Sequence, residues 1–414
     1  MTSFRKVLIS CTTLALLAAC SSGPGTARHS FRIYQEDGVT IAETSGGPRF
    51  DGPLFEYTEV LRLEQDESIE ESLLFRVSEY YLGDDGNYYV NDRGNGRFTV
   101  FGPDGKYLHG FGRTGEGPGE YRRPGILWIR DNQMVVYDSR LYRISRLTLD
   151  GRLLETIPRP VTNAQEMELY PVSDTSLLQI TRRAERPSRT EEIRTHSASI
   201  RLRDTDSSRE IASFTETRRW VIVGGAIGSQ PIFYSRTPQM LYQPDLGVLC
   251  STGQSDEFQL YSTEGELYRT VRLRLEPERV TGGERDAIRR HMDDLIEQAS
   301  DDRERALYRE VKQQVHIPEV KPAWMRLIVD DQGYCWLHEH DDLTVEEPWT
   351  LQPSFKVLSP DGEYLGKTEW PVRFPSAKVS RGHLLTMQEN QESGEIEYII
   401  YRLEPAVRRF NYPD

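Results

Sequence analysis

His338, Glu339 and His340 form the densest local group of metal-capable side chains in this sequence. In an extended segment alternate residues share a face, so the two imidazoles could chelate one ion. That is the chemistry of a metal-dependent hydrolase or lyase. An H-x-H pair also suits a solvated acidic loop, and HEHDDLTVEE is better explained as one. The remaining histidines are scattered, and no Ser–His–Asp or Cys–His spacing assigns a nucleophile. No catalytic residue, metal ligand or cofactor is therefore assigned, with calcium or zinc at a central site kept as the alternative.

A second group is cationic. The stretch GFGRTGEGPGEYRRPG at 110–125 carries Arg113, Arg122 and Arg123 among glycines and prolines. A phosphate-binding P-loop needs Lys and then Ser or Thr after its last glycine, followed by a helix. Here Gly119 leads into Glu-Tyr and another strand-like run, which excludes that reading. Glycine permits positive φ and close backbone approach, while Pro118 and Pro124 stiffen the route. The stretch is expected to be a rigid connector, with ligand contact by its arginines as the functional alternative.

The N-terminus bounds location. Arg5 and Lys6 precede an apolar run from Val7 to Ala19, too short to span a bilayer and of signal-peptide proportions. The run ends Leu17-Ala18-Ala19-Cys20, which resembles the lipobox of bacterial lipoproteins. That resemblance implies a signal over 1–19, lipid on Cys20, and a flexible tether over 20–30. Ser21 and Ser22 follow, where an aspartate would favour inner-membrane retention, so the outer membrane is expected. The whole chain has a formal net charge of −14; without Arg5 and Lys6, 49 basic face 65 acidic residues, about −16. That balance argues against nucleic acid or anionic lipid surfaces as partners.

The elements that must position these side chains emerge from a repeat. DGNYYVND from Asp85 recurs as DNQMVVYD from Asp131, DTSLLQIT from Asp174, DLGVLCST from Asp245, DQGYCWLH from Asp331 and SRGHLLTM from Ser380. Each is a short apolar run bounded by turn signals, as in a strand buried on both faces. A glycine follows twenty residues after Asp85, Asp131 and Asp245, at Gly105, Gly151 and Gly265; the fifth unit reaches Gly362 after an insertion around 339–350. Four strands per unit at a period near 45 residues is a propeller blade. The expectation is an all-β, six-bladed β-propeller over 31–414. The last unit has three strands, and FEYTEVLRLEQ at 55–65 is expected to supply the fourth, leaving no open edge. Cys250 and Cys335, on opposite faces of adjacent blades, are expected to be buried thiols without a disulfide.

The stretches VNDRGNGRFTVFGPDGK (90–106) and VYDSRLYRISRLTLDGR (136–152) resemble the NHL-repeat pattern of a strand-end Asp, an Arg five residues later, an apolar run and Gly. The connector at 112–124 and KPAWMRLIVDDQGYCWL (321–337) are similar to six-bladed propeller lipoproteins of bacterial envelopes. The resemblance implies a fold and an envelope location, and little about activity.

In such a ring, d-to-a and b-to-c connections share one face. The long insertions all fall there: 182–197 as a b-to-c loop, 215–237 joining blades three and four, 338–349, and 276–322. Ile288, Met292, Leu295 and Ile296 give the last a helical stripe, so a helical insertion is expected at about 281–316, packed on the propeller as a lid. Ser300-Asp301-Asp302 is expected to end the first helix and cap a second carrying Leu307 and Val311. Asp92 with Arg97, and Asp138 with Arg143, are expected to pair and fix their turns. Ligand-binding candidates are Arg113, Arg122, Arg123, Arg140, Trp220, His338 and His340. The expected function is non-catalytic binding of a protein, peptide or glycan partner by a monomer, against the metal-dependent hydrolase or lyase alternative.

Overall fold

Apolar residues on both faces of a short strand require sheet neighbours on both sides, and the second strand of several blades has that character. Tyr88–Asp92, Gly247–Ser251 and Cys335–His338 are buried along their whole length. The structure is a computed structural model describing residues 28–158, 166–173, 175–202, 207–223, 226–229, 233–345, 351–372, 377–390 and 395–413. The chain is a six-bladed β-propeller. Its antiparallel sheets begin with inner strands at Val77–Leu82, Pro124–Arg130, Glu166–Pro171, Gln239–Gln243, Arg326–Val329 and Ala377–Ser380.

The glycines that define the repeat mark the outer hairpin turns. Gly105, Gly151, Gly265 and Gly362 all have φ between 80° and 96°. At Gly105 a Cβ would stand 2.3 Å from the carbonyl oxygen of Arg62. Only glycine tolerates both conditions.

Closure follows the expected route. Phe55–Arg62 pairs antiparallel with Ile396–Pro405 and becomes the outer strand of blade six. Six apolar clusters fill the six interfaces between neighbouring blades, so every sheet has its inner face and its outer face covered. The largest, between blades five and six, gathers Trp336, Trp370, Phe355 and Phe55, with Phe410 and Tyr412 of the C-terminal tail.

Three features depart from the sequence reading. Ser30–Glu36 and Val39–Ser45 form a hairpin whose second strand runs parallel to Leu267–Arg274, extending blade four to six strands. His29, assigned to the tether, hydrogen-bonds Gly47 O (3.0 Å) and Glu363 (3.1 Å). The ordered body therefore begins before residue 30.

Second, 182–197 is mostly strand rather than loop. Ser176–Glu185 pairs with Glu191–Leu202 out to Glu185↔Ile193, and Ser208–Val223 follows alongside to Arg219. Third, the stretch from 215 continues that outer strand and then pairs with Ala226–Ser229. High charge density suggested loops. Here charged residues alternate with threonines, alanines and aromatics, and ion pairs sustain the sheet: Glu192 holds Arg186 across the hairpin (2.9 Å) and Arg194 along its own strand (2.6 Å). Blade three thus rises above the ring as a ribbon.

The helical insertion comprises α1 (Gly282–Glu297) and α2 (Asp302–Gln314). Thr281 and Glu284 form a capping box, and Asp301 caps α2 through Glu304 N. The stripe covers the ribbon rather than the ring: Met292, Leu307 and Val311 cluster with Val221, while Ile288 meets Tyr234 and Val280.

Candidate functional site

The Asp and Arg of blades one and two bind backbone. Asp138 accepts from the backbone N–H groups of Arg122 (2.7 Å), Arg123 (3.2 Å), Arg140 (2.9 Å) and Leu141 (2.9 Å). Arg143 donates instead to the carbonyls of Glu116 (2.9 Å), Gly117 (2.7 Å) and Glu120 (2.5 Å). The expected Asp138–Arg143 ion pair is absent because each side chain is occupied by the connector's backbone. In blade one Asp92 accepts from Phe75 N (2.9 Å), while Arg97 donates to the Glu70, Glu71 and Leu73 carbonyls. There the two ions are 3.9 Å apart. The motif is a clamp: the acid takes N–H groups and the base takes C=O groups of the incoming connector, satisfying irregular backbone.

This clamp explains the glycine-rich stretch. Glu120 accepts from Glu116 N (3.0 Å) and Gly117 N (2.8 Å) and pairs with Arg113 (2.7 Å). Arg122 meets Glu116 at 3.2 Å, and Tyr121 is buried edge-on against Phe98. The connector is a rigid strap. Arg113, Arg122, Arg123 and Arg140 are exposed on its face of the ring and do not reach the channel.

The two histidines separate. His338 is buried with its ring stacked on Phe355 (5.1 Å), whereas His340 meets Tyr234 edge-on (5.4 Å). Between them Glu339 carries the interactions, bonded to Lys356, Lys367 (2.8 Å) and Ser354 (2.7 Å). Burial opposes ionisation of Glu339, but the two lysines prevail and hold its carboxyl at about 2. Among the described residues no three His, Cys, Asp or Glu side chains are grouped as metal ligands would be. The thiols are free and buried, with Cys250 pushed up to about 12 by burial.

Acid sensitivity should arise at this cluster. Burial pushes His338 and His340 down to about 4. In the unfolded chain both titrate near 6.5, so between about pH 6.5 and 4 the unfolded state binds more protons. Stability should therefore fall as pH falls through that window, while the Glu339 pairs persist until about pH 2. Calorimetry from pH 7 to 4.5 should show a declining Tm, with a shallower decline in His338→Gln/His340→Gln.

The central channel holds two cavities sharing Tyr242, Gln243 and Val329. Near their junction Lys378 lies over the Tyr81 ring, and Glu79 accepts from Ile126 N (2.6 Å). Burial pushes Glu79 up and Lys378 down, each charge partly offsetting the other's shift. The cavity toward the loop face, about 630 Å³, is walled by the blade-three ribbon and the inner strands of blades four and five. Arg182, Arg194, His196, Glu216 and Arg218 share one face of the ribbon, as the registers Arg182↔His196 and Arg194↔Glu216 require. His196 is buried, stacks on Phe214 (4.7 Å) and lies 3.5 Å from Glu216. His196 and Arg218 together hold Glu216 below the usual carboxylate range.

By the same alternation Trp220 lies on that ribbon face farther from the ring, with Arg186 over its indole at 5.6 Å. Trp220 lines a separate cavity between the ribbon's far end and α2, and the other candidates lie on blades one, two and five. The ribbon arginines were missed, although Arg194/His196 and Glu216/Arg218 at i, i+2 carried a strand's signal.

Residues 53–224 match the family model DUF5128, described as a 6-bladed beta-propeller. The match begins at the closing strand and ends with the blade-three ribbon. Among solved structures, a protein from Bacteroides fragilis NCTC 9343 named as a candidate exported protein is 12% identical. It covers 89% of this chain and 100% of its own, with a TM-score of 0.48. A DUF4221 member from Bacteroides vulgatus is 12% identical over 85% of this chain and 99% of its own, TM-score 0.47. A catalytically inactive virginiamycin B lyase from Staphylococcus aureus, solved with quinupristin, is 12% identical over 83% and 88%, TM-score 0.32. No curated protein matches the sequence. No helix among the described residues is long and apolar enough to cross a membrane.

Proposed function

We propose that this protein is a non-catalytic, lipid-anchored β-propeller of the bacterial envelope. As a monomer it binds a peptide, glycan or protein partner on the face carrying the long connections. The observation that carries the reading is one-sided construction. Among the described residues the blade-three ribbon and the α1–α2 insertion packed on it leave the ring from one face, while the described turns on the opposite face are tight. Scaffold-positioned insertions of this kind are where recognition concentrates. A metal-dependent hydrolase would be favoured by three converging donors; among the described residues none are grouped so.

A photo-crosslinking residue at Arg218 on the ribbon, or at the exposed Asp104 in an opposite-face turn, tests the reading in envelope extract. Specific adducts are expected from Arg218 alone. Equal labelling from Asp104, or labelling only there, contradicts it. The anchor is tested separately, since Cys20 lies outside the described residues. Cys20→Ser should move the protein from the membrane fraction to the soluble fraction, and retention at the membrane would contradict lipid attachment.

A further inference from the structure

The loop-face cavity has a chemistry at odds with the chain around it. Its ionisable lining is Arg182, Arg194, Arg218, Arg326 and His196 against one carboxylate, Glu216. The whole protein carries a formal net charge of −14. Supporting carboxylates stand outside the lining: Glu168 lies 3.5 Å from Arg182, and buried Glu192 lies 2.6 Å from Arg194. They hold the guanidinium groups in place, so less rotamer freedom is lost when those groups meet a ligand.

The rest of the wall presents the half-buried aliphatic side chains of Leu241, Ile328 and Val329, backed by the buried Met240 and Leu327. Apolar wall beside a cationic rim gains most when covered by a molecule that is itself amphiphilic. The other half of the channel is of opposite character, lined by Asp84, Asp131, Asp245 and Asp331 with fewer cations. Charge sign therefore distinguishes the two mouths.

We propose that the loop-face cavity binds a carboxylate-headed molecule with an apolar body. The head lies among Arg182, Arg218 and Arg326, and the body lies on the aliphatic wall. The planar guanidinium fork matches a carboxylate in two-point contact. About 630 Å³ falls within the usual size of small-molecule sites. An acyl chain and the apolar carboxy-terminal residue of a peptide share this chemistry. The proposal rests on the loop-face reading above and adds the ligand's charge and polarity.

The test is calorimetric titration of the folded protein with decanoate, N-acetyl-leucyl-leucine and decylammonium. One or both anions should bind at one site per chain, and decylammonium at least tenfold more weakly. Which anion binds separates the acyl source from the peptide source. Arg218→Ala/Arg326→Ala should weaken the anion at least tenfold, and higher salt should weaken it as well. If that double variant lacks a cooperative unfolding transition, Arg218→Glu at its half-exposed position replaces it. Decylammonium binding as tightly as the anions, or no binding by either anion, overturns the ligand chemistry and leaves the loop face standing. Anion binding unchanged by the Arg218 and Arg326 substitutions but abolished by Arg381→Ala, at the opposite mouth, overturns the loop-face reading too.

Discussion

Phe55→Ala should destabilise the protein by about 3–5 kcal/mol, the range for truncating a buried aromatic. Phe55 is 3% exposed and opens the strand that completes blade six. Its ring stacks on Trp336 (5.3 Å, 17°) and meets Phe410 and Tyr412 edge-on at 5.3 and 5.0 Å. One side chain thus joins the N-terminal strand, blade five and the C-terminal tail. Removing it opens a cavity among rings held by three separate segments, which cannot all collapse inward. Denaturant titration gives the measurement, and Val60→Ala on the same strand is the control. Val60 is 41% exposed and should cost little. A Phe55→Ala cost no greater than the control's would mean that closure contributes little to stability.

Asp138→Ala should cost roughly 3 kcal/mol and lower Tm on the order of 4 °C. The carboxylate is 1% exposed and accepts from four backbone N–H groups on two segments. Alanine leaves those donors without partners, and leaving a donor unmet costs more than a hydrogen bond gains. Arg143 would still hold the connector by its carbonyls, so the strap should loosen rather than detach. Asp138→Asn keeps an acceptor and should lose about half as much. An unchanged Tm in Asp138→Ala would sink the clamp.

The ring was legible because its signals are local and periodic. Asp-led turns, Gly105, Gly151 and Gly265 at equal spacing, and an alternating segment at 55–65 each report a conformation that nearest neighbours dictate. The expected connector role of 112–124 follows from the same logic. What eluded the sequence depends on contacts remote along the chain. Ser30–Glu36 and Val39–Ser45 form an ordinary hairpin, and nothing within them says that blade four is their partner. RRAERPSRTEEIRTHS has the charge density of a loop, yet its pairing is set by strands that extend past the ring.

Asp138 and Arg143 were expected to pair with each other, but their partners are backbone atoms, which a residue pattern cannot display. The cavity arginines come from three strands of blade three and one of blade five. Their convergence exists only once blades three to five are side by side.

Closure of the ring by the N-terminal strand is the claim on which the one-sided face depends, and a disulfide tests it directly. Thr58 and Arg402 face each other in register and are both exposed. In Thr58→Cys/Arg402→Cys the two thiols should join under mild oxidation within one chain and raise Tm. Thr58→Cys/Glu404→Cys, displaced two residues along the strand, should remain reduced. Failure of the first pair to join, or equal joining by the displaced pair, would contradict the closure described.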